Sequence, residues 1–184
     1  MVILSTGACG GLGQVLGKTL MDKGETVYGT SRSALARAGE VPFPLLDLDV
    51  LSQDSVDACL SQLVEKEGRI DVLINCVNEM VIGAVEEADV EEVKALYDTN
   101  VFGVMRLCKS IAGIMKQQGG GTVVNMSSLG GLLAVPLMSS YTSAKFALEA
   151  FTEAFYQEMK PYGISVVIMQ PVAMHMDRPE TGHH

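Results

Sequence analysis

Tyr141 and Lys145 stand four residues apart in Tyr-Thr-Ser-Ala-Lys, inside a run of helix formers, so both side chains project from one helical face. Ser127 and Ser128 follow Thr122–Met126, a β-branched and apolar run after glycines that reads as a buried strand. Where such a strand runs out into a loop, the next side chains are free to face a ligand. A hydroxyl, a phenol and an ammonium then converge on one spot, and the chemistry they suit is proton transfer. A free tyrosine titrates near ~10, too high for acid–base work at neutral pH. A nearby ammonium stabilises the phenolate and brings that value down. The hydroxyl can hold the oxygen of a carbonyl or an alcohol while the phenol gives or takes the proton. Tyr-x-x-x-Lys alone is a common accident, and a serine pair after a strand is ordinary loop chemistry. Their order along the chain, downstream of a glycine loop, makes coincidence a poor explanation.

The elements that must position these groups are written in alternation. Val2–Ser5 reads as a buried strand, followed by Thr6-Gly7-Ala8-Cys9-Gly10-Gly11-Leu12-Gly13 and by Leu12, Val15, Leu16 and Leu20 at helical spacing. Strand, glycine turn and helix in that order make a phosphate cradle, because glycines let backbone approach a pyrophosphate and the helix start supplies free N–H groups. Thr26–Thr30 and Leu45–Val50 read as a second and third strand, and Ser52 caps a helix with Val56, Leu60, Leu63 and Val64 on its apolar face. Val72–Cys76 is the fourth strand. Asp89 and Glu92 form a capping box opening a long helix that contains Asn100. A helix over Ser140–Met159 is apolar nearly all round, with Phe146, Leu148, Phe151 and Phe155, and Ser165–Gln170 is a sixth strand before Pro171-Val172. Strands alternating with helices at these lengths predict a doubly wound α/β domain. Its sheet is parallel, one domain spans residues 1–184, and a ligand sits at the carboxyl edge. Leu132, Leu133, Val135, Leu137, Met138 and Met174 predict apolar surroundings for that ligand.

Bulk properties narrow the function classes. With 184 residues and a net charge of -9, the chain is long enough for a real core and carries no basic block for a nucleic-acid surface. No apolar run approaches the ~20 residues that span a bilayer. Cys9, Cys59, Cys76 and Cys108 show no metal spacing and read as reduced packing groups. Met1 leads almost directly into a strand, so no targeting peptide is expected and the cytoplasm is the expected compartment. His175 is solitary and is read as incidental rather than as a ligand.

The spacing Thr-Gly-x-x-x-Gly-x-Gly, together with Ser128, Tyr141 and Lys145, resembles the short-chain dehydrogenase/reductase family over essentially the whole chain. The resemblance implies a Rossmann-type fold and a nicotinamide cofactor. Gly7, Gly11 and Gly13 are the loop glycines, flanked by Thr6 and Leu12. Tyr141 is the general acid in reduction. Lys145 lowers its pKa and holds the nicotinamide ribose, and Ser128, thirteen residues before Tyr141, orients the substrate oxygen. Asn100 breaks its helix locally, and its backbone supports a proton relay behind Lys145. Asp49 takes the adenine amino group, with Asp47 as the neighbour that a register shift would substitute. Asn75 begins the turn after the fourth strand, and Pro171 and Val172 lie beside the nicotinamide.

Within that reading, an acidic residue after the second strand would bind a ribose hydroxyl and repel a 2′-phosphate. Arg32 instead presents a planar guanidinium suited to the phosphate, which favours NADP(H) over NAD(H). No basic residue at Cys9 or Gly10 reinforces it. Two departures stand out. Asn75-Cys76-Val77-Asn78 replaces the family's Asn-Asn-Ala-Gly, and Val172 replaces a glycine. The chain also stops where the family continues with a substrate-covering segment and a seventh strand. The expected reaction is reversible hydride transfer between NADP(H) and a carbonyl/alcohol pair on an apolar small molecule, by a homodimer or homotetramer. The alternatives are a non-catalytic nucleotide- or partner-binding relative, and an incomplete piece of an active enzyme.

Overall fold

The structure is a computed structural model that describes residues 1–172. Six parallel strands form one sheet in the order β3-β2-β1-β4-β5-β6. They are β1 (Val2–Ser5), β2 (Thr26–Ser31), β3 (Leu45–Asp47), β4 (Val72–Asn75), β5 (Gly121–Met126) and β6 (Ile164–Met169). Strand order reverses between β1 and β4, so the crevice for a ligand opens there, outside the carboxyl ends of the strands.

Alternation along the strands sorts the core onto two faces. Ile3, Val27 and Ile74 point to the layer that holds α1 (Gly11–Asp22), with Val41 and Phe43. Leu4, Tyr28, Leu73 and Val123 point to the other layer. That layer holds α2 (Gln53–Glu67), α4 (Val104–Gln117) and part of α5 (Ser139–Met159). On α1 the buried stripe runs through Gly13 and Gly17, with Leu12, Leu16 and Leu20 beside it. Val15, expected on that stripe, is 65% exposed because, two residues from both Gly13 and Gly17, it lies about half a turn away from the line that Gly17 packs against the Phe43 ring.

Three local expectations change in the fold. β3 stops at Asp47 rather than Val50 because it is an edge strand whose last partner is Ser31, the end of β2. Asp49 therefore sits in a loop, where its backbone N–H donates to Ser55 Oγ at 2.9 Å and its Oδ1 accepts from Leu51 N at 3.0 Å. The Asp89 carboxylate caps α3 (Val90–Tyr97) by accepting from Glu91 N at 2.8 Å, and no reciprocal contact from Glu92 is present among the described residues. The long helix is divided into α3 and α4 by a π-helical turn, Asp98–Gly103, that contains Asn100. Met174 and His175 lie outside the described residues.

Among the described residues, no helix is long and apolar enough to cross a membrane, and no group of His, Cys, Asp and Glu could hold a metal ion. All four cysteines are free.

Candidate active site

The glycine loop is shaped by close backbone approach. Gly7 takes φ +63°, and a Cβ there would lie 2.7 Å from the Cys76 carbonyl oxygen. A Cβ on Gly13 would fall 2.3 Å from the Gly7 carbonyl oxygen, so only glycine fits at either position. Thr6 ties the loop to the turn after β4. Its Oγ1 accepts from Cys76 N at 3.1 Å and from Val77 N at 3.4 Å. This explains how the altered Asn75–Asn78 turn holds its shape without the small pair expected there. Helix α1 begins at Gly11 with neither a side-chain cap nor an acidic residue in its first turn. Its N–H groups and positive dipole end therefore face the crevice and are open to an anion.

Two cavities meet across Gly7 and Gly10 and together form one cleft. The first, of about 270 Å³, is lined by Thr6, Arg32, Arg37, Asp49, Val77 and Thr99 among others. Asp47 is excluded from this cavity. Its Oδ1 accepts from Ala34 N at 2.8 Å and holds the turn after β2, so Asp49 is the residue that faces the cleft. Arg37 went unread in the sequence because nothing periodic links it to Arg32. The fold turns the segment back so that both arginines line one cavity. Arg37 is held there by Glu40, with Nε to Oε2 at 2.8 Å.

The second cavity, of about 510 Å³, brings together Ser128, Tyr141 and Lys145 with Gly7, Gly11, Leu12, Gly13, Pro171 and Val172. Met80, Met126, Leu129, Val135 and Met138 give it a largely apolar wall. Leu132, Leu133 and Leu137 are exposed and do not line it. Leu137 is the one non-glycine with positive φ among the described residues, and its carbonyl accepts from Gly83 N at 2.9 Å.

Tyr141 is buried and Lys145 is 1% exposed. The ammonium lies 5.6 Å from the centre of the Tyr141 ring and donates to the Met126 carbonyl at 2.9 Å. Burial pulls the Lys145 pKa down from 10.5 to about 8, against the influence of Cys76 and Glu149. Burial pushes the Cys76 thiol up to about 11, with Lys145 opposing, so at neutral pH it is a protonated part of the cavity wall. Ser128 Oγ accepts from Gly130 N at 3.1 Å, which fixes the hydroxyl at the cavity edge.

Two expected site residues line neither cavity. Asn75 is 1% exposed, and its Nδ2 donates to Asn125 Oδ1 at 2.8 Å. Asn125 in turn donates to Thr152 Oγ1 at 2.9 Å. This buried relay of amides pins β4 to β5 and α5 instead of reaching the cleft. Asn100 is fully buried. Its Oδ1 accepts from Glu79 N and its Nδ2 donates to Glu79 O, both at 2.8 Å. That paired contact holds the segment after β4 against the π-turn, a side-chain role that sequence reasoning missed.

A dinucleotide fits these residues. The glycine cradle that a Cβ would fill and the uncapped α1 start suit a pyrophosphate, while Arg32 and Arg37 suit a further phosphate.

Comparisons with known proteins agree with the geometry. The family model described as short chain dehydrogenase matches residues 1–180. A relative named 3-ketodihydrosphingosine reductase, from Bacteroides thetaiotaomicron, is 38% identical over 170 residues, 92% of this chain and 62% of its own length. The solved structure of ElxO with NADP bound is 25% identical, covers 96% of this chain and 75% of its own, and has a TM-score of 0.89. NAD⁺-bound xylitol dehydrogenase is 27% identical, covers 93% of this chain and 69% of its own, and has a TM-score of 0.85. The chain thus spans a little under two thirds of the length of the Bacteroides relative. From its sheet order to its serine, tyrosine and lysine, this chain belongs to the short chain dehydrogenase family.

Proposed function

We propose that this chain carries the site of an NADP(H)-dependent oxidoreductase that interconverts a carbonyl and an alcohol on an apolar small molecule. The observation that carries the reading is the convergence of Ser128, Tyr141 and Lys145 on one cavity continuous with the glycine cradle. The cofactor supplies or accepts the hydride. Ser128 Oγ orients the substrate oxygen, and Tyr141 gives its phenolic proton to that oxygen in reduction or takes it back in oxidation. Lys145, protonated below about 8, favours the phenolate by charge and so lowers the cost of releasing that proton. Its Nζ also stands ready to hold a ribose hydroxyl. Asn100 supports a relay behind Lys145 by steadying the π-turn.

Arg32 and Arg37 together support NADP(H), since two arginines line the same cavity. Thr6, Gly7, Gly11, Leu12, Gly13, Asp49, Pro171 and Val172 form the rest of the cofactor contact. We adopt for this chain the sense of the Bacteroides relative's name, reduction of a keto group, and the apolar cavity wall suits a ketone with an apolar body. A homodimer or homotetramer is part of this reading, supported by Phe146, Ala150 and Ala154, which are exposed on the outer side of α5. A cytoplasmic location remains our reading of the sequence.

A thermal melt with NADPH and with NADH tests the assignment. A ligand at about a hundred times its dissociation constant adds roughly 2.7 kcal/mol. A rise with NADPH, followed by turnover of an apolar ketone, is the expected result. A rise with NADH alone overturns the Arg32 and Arg37 assignment, and no rise with either overturns the cofactor site.

A further inference from the structure

Glu149 lies one turn beyond Lys145 on α5 and shares its face. Its Oε2 accepts from Gln170 Nε2 at 2.9 Å, and Gln170 directly precedes the Pro171-Val172 wall of the catalytic cavity. Its other oxygen, Oε1, is buried without a hydrogen-bond partner among the described residues, and Ser127 Oγ is in the same condition. A Cβ built on Gly131 would lie 2.6 Å from Ser127 Oγ and 2.9 Å from Glu149 Oε1. Carboxylate, hydroxyl and the Gly131 backbone therefore meet in one small space. Backbone bonds close the same knot, from Ser127 N to Met169 O at 2.7 Å and from Leu129 N to Pro171 O at 3.0 Å. Buried polar atoms are seldom left without partners unless a site needs them there. Three segments meet on this one carboxylate. They are the helix of Tyr141 and Lys145, the loop of Ser128, and the strand end before Val172.

The groups facing Lys145 can be named element by element. Tyr141 and Glu149 come from α5, Cys76 from the turn after β4, and the Met126 carbonyl from β5. The Cys76 thiol, pushed up to about 11, is still neutral where Lys145 titrates near 8. Glu149 is then the formal negative charge in that set.

We propose that Glu149 is a positioning residue of this site. Its carboxylate ties the Gln170–Val172 strand end to α5 and packs beneath the Ser127–Gly131 loop, and it supplies the counter-charge to the Lys145 ammonium. The inference rests on the oxidoreductase reading of the cavity. It also goes beyond that reading, because it gives one carboxylate two roles, one toward Lys145 and one toward the loop of Ser128.

The test follows the side-chain carbon signal of Lys145 by NMR in protein labelled with ¹³C-lysine, assigned with Lys145→Arg, as pH is raised. Glu149→Gln is expected to lower the Lys145 midpoint by about half a pH unit or more, because the ammonium loses its counter-charge. Gln170→Ala leaves the midpoint in place. In NADPH-dependent ketone reduction, Glu149→Gln and Gln170→Ala each lower kcat about tenfold, since loosening Ser128 against Tyr141 misplaces the reacting oxygen. An unmoved midpoint in folded Glu149→Gln overturns the counter-charge, and unchanged kcat in Gln170→Ala overturns the brace. If Glu149→Gln does not fold, Gln170→Ala and Glu149→Asp carry the test through kcat, and no change in either overturns the proposal. Absent turnover in the unaltered protein overturns the oxidoreductase reading instead. The NMR midpoint needs neither cofactor nor substrate and still decides the role of Glu149.

Discussion

The two ends of the cleft are built on opposite physical plans. At the Arg32 end the polar groups belong to loops and stand in or near water, with Arg32 exposed and Arg37 engaged by Glu40. Charges there act through a high dielectric, so each is worth little alone and several must add up. At the Tyr141 end the polar groups are part of the core. Lys145, Asn75, Asn100 and Asn125 are each no more than 1% exposed. Each buried amide there is held by at least one hydrogen bond, although Asn75 Oδ1 has no partner among the described residues, and removing one member takes a bond from its neighbours. Under the proposed function, cofactor selection sits on an adjustable surface, whereas proton chemistry is embedded in the packing that holds the sheet and α5 together. Substitutions at the first end are expected to change binding alone, and substitutions at the second to change catalysis, stability or both.

The sharpest way to separate catalysis from packing is Tyr141→Phe, which removes only the phenolic oxygen. Turnover should fall by about a thousandfold or more, with NADPH still raising the melting temperature, as steady-state kinetics and a thermal melt would show. Lys145→Met comes next. A methionine of similar length fills the buried space without an ammonium to desolvate, so kcat is expected to fall about a hundredfold while the melting temperature stays within a few degrees.

The same lysine predicts a pH dependence. Its folded value, about 8, lies below the ordinary 10.5, so the ammonium is complete below about 8 and is lost as pH rises through that value. The rate of ketone reduction should decline across that window in a pH–rate profile. Lys145→Arg, which stays charged, should remove the decline in whatever activity it retains.

Asn125→Leu tests the other side of the comparison. It leaves Asn75 Nδ2 with only the weak Cys108 Sγ acceptor at 3.7 Å and Thr152 Oγ1 without its donor, at a cost of about 2–3 kcal/mol and several degrees of melting temperature. The smallest effects belong to the exposed end. Arg32→Ala and Arg37→Ala should each weaken NADPH about tenfold by titration, leave NADH unaffected, and leave the melting temperature of the free protein where it was. A loss of stability in either arginine variant would break the division between the two ends.

Much of this arrangement is legible in the chain because its signals are local. β-Branched runs write the strands, the glycines of residues 7–13 write the cradle, and the four-residue step from Tyr141 to Lys145 places both on one face of α5. These are properties of a few consecutive residues, and backbone sterics and periodicity decide them whatever lies around them. The boundaries of β3 and the orientation of Val15 went differently because both depend on a neighbour. β3 ends when β2 stops offering partners, and Val15 turns outward because Phe43 packs on Gly17.

Fold class, cradle and the candidate trio of Ser128, Tyr141 and Lys145 were thus legible in the sequence itself. Only the tertiary structure decided that Arg37 joins Arg32, that Asn100 grips the Glu79 backbone, that Asn75 serves the core rather than the cleft, and that Glu149 sits under the Ser128 loop. The physical reason is common to all four. Each is a meeting of segments far apart in the chain, and periodicity encodes which side of an element is buried but not which partner it will find there.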